Sequence, residues 1–151
     1  MARAPFQVLV FPYRRVCGIY EFALFKRSDG GYWQGIAGGG EGEESPMQAA
    51  IRETFEETGI SGDSIFMRLD TMSSVPVTCF KDSNLWGEER YVIPQYCFGV
   101  KVNDEEIKLS AEHLEFGWFK IGEAIEKVKY DSNKTALWEL SQKLQGLGPR
   151  D

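Results

Sequence analysis

Residues 38–60 read GGGEGEESPMQAAIRETFEETGI, and the acidic residues in this stretch are spaced for chemistry. Glu53, Glu56 and Glu57 stand at i, i+3 and i+4, so on a helix they share one face. Like charges at that spacing repel, and something cationic must offset them. Arg52 supplies one positive charge. Divalent metal would supply the rest: Mg²⁺, with Mn²⁺ as a substitute, because hard cations take oxygen ligands and Mg²⁺ binds through a few carboxylates plus substrate phosphates. The plainer alternative is a solvated acidic face on a surface helix. Three upstream glycines, Glu44 and the downstream Gly59, all in register with the acidic residues, weigh against it.

A helix must present these side chains, and its ends are legible. Ser45 is a suitable N-cap, Pro46 suits the first helical position, and Gly59 suits a left-handed stop. Met47, Ile51, Thr54 and Phe55 fall opposite the carboxylates and form the expected core face. Around this helix the chain alternates strands and helices. Residues 6–11 (FQVLVF) form an apolar run typical of a strand buried on both faces, and residues 18–25 its neighbour, with Pro12, Arg14 and Arg15 in the connection. Asp29, Gly30 and Gly31 make a turn, after which Tyr32, Trp33 and Gln34 lead into a glycine loop. Further strands are expected at 64–72, 91–101 and 114–119, with Pro94 arguing for an edge or a bulge. Helices are expected at 121–128 and at 132–144. Ser132 would cap the second of these, and Leu137, Leu140 and Leu144 line one of its faces. Residues 146–151 read as a frayed tail. Both element types on one core imply an α/β sandwich.

At 151 residues the chain has the length of one domain with a proper core. Its net charge of −6 argues against binding long nucleic acid through a basic surface. An acidic protein acting on an anionic substrate needs metal and a few local cations. The three cysteines, Cys17, Cys79 and Cys97, lack metal-ligand spacing and read as free thiols in or near the core. With no signal peptide and no apolar run long enough for a membrane, a soluble cytoplasmic protein is expected. There is no GxxxxGK[ST] loop of a P-loop ATPase, and no GxSxG or Cys-His pattern of acyl transfer.

Gly38, Glu44, Arg52, Glu53, Glu56, Glu57, Gly59 and Ile60 fit the pattern G-x5-E-x7-R-E-U-x-E-E-x-G-U, where U is bulky and apolar. This pattern resembles the signature box of the Nudix hydrolases; Thr54 stands where that family usually carries Ile, Leu or Val. The resemblance implies the Nudix α/β/α sandwich, a mixed curved sheet between helices. Three shorter stretches are similar to one bacterial branch, the dihydroneopterin triphosphate pyrophosphatases and dATP pyrophosphohydrolases. They are Tyr32-Trp33-Gln34, Glu112-His113-Leu114 followed by Trp118, and Ser132-Asn133-Lys134.

That branch implies metal ligands at Glu53, Glu57 and Glu112, with Glu56 facing the same metals and the Gly38 carbonyl a further ligand. It implies substrate contacts at Arg3, at Lys26 with Arg27 for the terminal phosphates, and at the backbone of Ala37, where relatives carry a hydroxyl. Arg3 lies in a terminal segment with a tendency to mobility. Trp33 and Tyr32 are open between stacking on a base or pterin ring and serving as core lids. Arg52 fits best as a structural clamp on the carboxylates. Glu44 is open between metal, loop and Arg52. His113, the one histidine, reads as an outer-shell residue.

The reaction implied is metal-assisted attack of water on phosphorus in a phosphoanhydride. Glu56 or Glu112 would accept the proton. A nucleoside triphosphate or dihydroneopterin triphosphate would give the monophosphate and pyrophosphate. Diadenosine polyphosphates and oxidised dNTPs are competing substrates. A non-catalytic nucleotide-sensing Nudix domain is the reading from another class, opposed by the intact set of box carboxylates. Many relatives pair, so a homodimer is left open, and the segment around Phe80, Trp86 and Tyr91 is either an interface or a flap.

Overall fold

The computed structural model describes residues 2–103 and 106–151. Seven strands and three helices follow in the order β1 (Arg3–Val16), β2 (Ile19–Arg27), β3 (Trp33–Gln34), β4 (Ile36–Glu41), α1 (Pro46–Thr58), β5 (Phe66–Pro76), β6 (Val92–Lys101), β7 (His113–Phe119), α2 (Ile121–Lys127) and α3 (Asp131–Leu144). β1 and β6 pair in parallel and the other ladders are antiparallel, so the sheet is mixed.

β1 organises the sheet. Side chains alternate across it: Val8 and Val10 pack with Ala49, Ala50 and Ile60 on the α1 side, while Leu9 and Phe11 pack with Ala136, Leu137 and Leu140 on the α2–α3 side. These two clusters form the two layers of a sandwich. β1 is longer than the expected 6–11 run. Arg14 and Arg15 lie within it, paired with Glu21 and Tyr20. The connection to β2 is the two-residue turn Cys17-Gly18, with φ of 50° and 80°, a geometry that matches the twist of a hairpin. Pro12 sits between the stretch of β1 paired to β4 and the stretch paired to β2, a place in a strand where a proline is tolerated.

The first ladder ends at Tyr13 and Phe22, and the β3–β4 segment fills the wedge beyond it. Trp33 and Gln34 pair with β2, and Ile36 to Gly39 continue on β1. The glycine stretch is therefore a strand rather than a loop. At the switch, the Gly35 N–H donates to the buried Asn133 Oδ1 at 3.0 Å. Asn133 thus has a structural use, as does Lys134, whose Nζ donates to the Ile125 carbonyl at 2.7 Å.

α1 starts as its sequence requires. Ser45 and Gln48 form a reciprocal capping box, Pro46 opens the helix, and Gly59 closes it at φ 77°. Its core face differs from expectation. Ala49, Ala50, Thr54, Glu57 and Thr58 are buried, whereas Phe55 is 59 % exposed. Small residues let α1 approach the sheet closely, so a phenylalanine falls outside the contact. Elsewhere, Pro94 lies in a strand paired on both sides, but at Pro94 itself only β5 is a partner. Ser132 lies inside α3 and makes no cap; Tyr130 holds that position. Cys97 is buried, with its thiol pushed up to about 12 by burial, while Cys17 and Cys79 are exposed rather than near the core. The tail is tied back by Gln142, whose Nε2 donates to the Gly148 carbonyl at 3.1 Å. No described helix is long and apolar enough to cross a membrane.

Candidate active site

β4 is the wall on which the site is built. Alternate residues of a strand point to opposite faces, and here two of them have no side chain. On the α1 side, the Glu53 carboxylate lies against Gly38, where a Cβ would come 2.5 Å from Oε2. On the other side, the Arg3 guanidinium lies against Gly39 in the same way. Ala37 faces that second side too, packed with the α2–α3 core. Bare backbone thus brings an acid from one side and a cation from the other to neighbouring residues of one strand.

Arg52 orders the acidic side. Its Nε and Nη2 bind Glu44 at 2.8 and 3.0 Å, and Nη2 also donates to the Gly39 carbonyl at 2.8 Å. Its Nη1 reaches Glu53 at 3.0 Å and Glu56 at 3.3 Å. Glu44 in turn accepts from the Glu41 N–H at 2.8 Å. Arg52 and Glu44 therefore clamp the β4–α1 connection, a bidentate use to which arginine is suited. Glu56 is the exposed member of the acidic group, at 53 % of its side-chain surface.

Glu53 is charged with difficulty. Burial raises its carboxyl to about 7, and Glu56 and Glu57 add to the effect, against Arg52, which lowers it. Glu57 is buried as well, and that burial is outweighed by His113 and Ser110, which hold the carboxyl below its usual range. Ser110 Oγ donates to Glu57 Oε2 at 2.5 Å. His113 Nδ1 approaches the same oxygen at 3.0 Å, off the line of a hydrogen bond, so neither ring nitrogen has an aligned partner among the described residues. Glu112, on the exposed turn before β7, is raised by burial and by the charge of Glu57. Nothing in the spacing of the sequence marks Ser110.

Among the described residues no three Asp, Glu, His or Cys side chains form a ready-made metal cage. The donor chemistry nevertheless fits a hard divalent cation. Glu53, Glu57 and Glu112 each carry a burial penalty, and the charge of Glu57 bears on both of the others, so added positive charge relieves the group.

The sequence-derived substrate residues occupy the opposite face. Lys26 is cross-strand from Trp33 and Glu115, with Nζ 3.8 Å from the Glu115 carboxylate. Trp33 packs edge-on to Phe119 at 5.5 Å and takes Lys127 over its ring. Tyr32 meets Tyr130 edge-on at 5.4 Å. Arg27 pairs with Asp29, and Ser28 binds the Glu112 carbonyl through both its N–H and its hydroxyl, which ties the β2 end to the Glu112 turn. Arg3 is not a loose terminus. It opens β1 opposite Glu41, and its carbonyl accepts from Trp86 Nε1 at 2.8 Å.

Comparison with known proteins identifies the family and the fold. The NUDIX domain model matches residues 8–139, most of the chain. The chain belongs to the Nudix family. A Nudix hydrolase from Listeria monocytogenes superposes with a TM-score of 0.86 at 37 % identity, covering 95 % of this chain and 96 % of that one. A dihydroneopterin triphosphate diphosphatase from Haemophilus influenzae is 29 % identical over 117 residues, 76 % of this chain and 73 % of that protein. A bis(5'-nucleosyl)-tetraphosphatase from Rattus norvegicus is 29 % identical over 120 residues, 79 % and 77 % of the two chains. As a Nudix hydrolase the chain stands among enzymes that open phosphoanhydride bonds.

Proposed function

We propose that this protein hydrolyses dihydroneopterin triphosphate or a nucleoside triphosphate to the monophosphate and pyrophosphate, using Mg²⁺ with Mn²⁺ as a substitute. The observation that carries this reading is the β4 wall, with the Glu53 carboxylate on one side at Gly38 and the Arg3 guanidinium on the other at Gly39. A phosphate chain crossing that edge meets acidic oxygens able to share a metal with it, and a cation for its far end.

In this reading Glu53, Glu57, Glu56, Glu112 and the Gly38 carbonyl would hold the metal. Bound there, the cation would neutralise charge building on the phosphoryl oxygens and lower the pKa of the attacking water. The chain's own residues do the rest. Arg52 and Glu44 fix the start of α1, and Ser110 and His113 fix Glu57. Arg3 and Lys26 hold the terminal phosphates, the Ala37 backbone borders the chain, and Trp33 flanks the ring system. Water attacks phosphorus, the bridging P–O bond breaks, and a carboxylate takes the proton. Glu56 is engaged by Arg52, which makes Glu112 the stronger candidate for that role. A homodimer is compatible with this scheme and is not required by it.

The test is turnover with Mg²⁺, read as pyrophosphate release from dihydroneopterin triphosphate, dATP, other dNTPs and an oxidised dGTP, and as formation of mononucleotide products from diadenosine tetraphosphate. Turnover is expected with a triphosphate. If diadenosine tetraphosphate alone turns over, the substrate is wrong and the reaction class stands. No turnover of any would leave the non-catalytic sensor as the better account.

A further inference from the structure

Between β5 and β6, residues 77–91 leave the sheet and return through a closed neck, where the Val77 N–H donates to the Tyr91 carbonyl at 3.0 Å. Two short 3-10 turns, Val77–Cys79 and Ser83–Trp86, shape this excursion. They set Phe80 edge-on to Trp86 at 5.7 Å.

Two groups of the segment converge on one residue outside it. Trp86 Nε1 donates to the Arg3 carbonyl. The Phe80 ring centre lies 4.7 Å from the Arg3 guanidinium carbon. Burial weighs against the charge on Arg3; Glu53 opposes that effect, and Asp82 does so next. The guanidinium is further fixed by Nη2 donating to Gln7 Oε1 at 2.5 Å, while Nε is buried with no partner among the described residues.

We infer that Phe80 and Trp86 form a strap that positions Arg3 for the phosphate chain of the substrate. This rests on the reading of Arg3 as a phosphate contact. Ordering an arginine on binding costs conformational entropy, and a side chain held in place beforehand removes that cost from association. An aromatic ring holds a guanidinium without using up its N–H donors. A strap serving only to tether the chain terminus would need the backbone bond from Trp86 alone. Phe80 acts on the charged group itself. The segment is thus a positioning device for affinity and has no part in the chemical step.

Steady-state kinetics of the full chain with Mg²⁺ and the best triphosphate substrate test this. Trp86→Phe keeps an aromatic ring and deletes the indole N–H; Phe80→Leu keeps apolar bulk and deletes the ring. Each is expected to raise KM about fivefold and leave kcat within about twofold, the pattern of lost uniform binding. In an Arg3→Ala background, which itself raises KM, neither should raise KM further, because there is no guanidinium left to misplace. A KM effect of equal size in both backgrounds, or an unchanged KM in both single variants, overturns the strap and leaves Arg3 as a phosphate contact. An unchanged KM in Arg3→Ala alone overturns the reading of Arg3, and the strap with it.

Discussion

The Glu53 carboxylate occupies the space that a side chain on Gly38 would take, with Oε2 2.5 Å from the position of a Cβ there. The glycine is thus part of the acidic site without contributing a side chain. Gly38→Ala should push Glu53 aside, because the end of a flexible side chain yields more readily than backbone. Displacement of about 1 Å at a reacting centre costs on the order of a hundredfold in rate. We expect kcat/KM to fall by about that factor while Tm moves by only a few degrees. Wild-type kinetics in Gly38→Ala would show that Glu53 has no place in the reaction.

Thr54 is fully buried on α1, and its hydroxyl has no hydrogen-bond partner among the described residues. Thr58, one turn later, does satisfy its hydroxyl, by donating to the Thr54 carbonyl at 2.7 Å. Replacing an unsatisfied buried hydroxyl with a methyl of the same shape is neutral to stabilising. Thr54→Val should raise Tm by roughly 2–4 °C, equivalent to about 1 kcal/mol in a chain of this size, with kcat unchanged. A lower Tm on thermal unfolding would mean that the hydroxyl is satisfied in solution.

Asn133 pins Gly35, where the chain passes from β3, paired with β2, to β4, paired with β1. Asn133→Ala leaves the buried Gly35 N–H unpaired, a loss of about 1–3 kcal/mol. Thermal or urea unfolding should register it, with little change in KM per folded molecule. A large KM increase at unchanged stability would make Asn133 a substrate contact instead.

Glu139 fills the irregularity in β5, where the register shifts between Arg68 and Met72. It accepts from the Asp70 and Thr71 N–H groups at 2.6 and 2.8 Å and pairs with Lys143 at 2.7 Å. Burial alone would raise its carboxyl. Lys143, the Thr71 hydroxyl and the two N–H groups outweigh that and hold it below the ordinary range. A depressed folded value means that stabilisation is complete above the unfolded value near 4.5 and is lost as pH falls through the folded one. Glu139→Gln should therefore lower Tm at pH 7, and the gap to wild type should close as pH falls from the unfolded value through the lower folded one. A gap independent of pH would assign the effect to packing.

The parts of the fold that were legible in the sequence are those with local causes. Ser45, Pro46 and Gly59 delimit α1 because caps act within one turn, and Leu137 and Leu140 mark the buried face of α3 by period alone. The glycine stretch reads as a loop because the partner that makes it a strand, β1, lies some thirty residues upstream in the sequence. Phe55 reads as core because hydrophobicity carries no information on how closely two layers approach, and here Ala49 and Ala50 make that contact. Within the site, the acidic triplet on α1 is visible in its spacing. Ser110, which holds Glu57 from 53 residues away, and Trp86, which meets Arg3 across 83, have no local signal.

Carboxylates around Glu57 are proposed to hold a divalent cation that the reaction needs. Pyrophosphate release from the preferred triphosphate, titrated with Mg²⁺ in wild type and in Glu57→Gln, tests it most directly. We expect no turnover in wild type without metal and saturable activation with it. For Glu57→Gln we expect kcat/KM reduced by at least about a hundredfold, with a weaker apparent affinity for Mg²⁺. A Glu57→Gln protein with near-normal rate and the same Mg²⁺ dependence as wild type would contradict it.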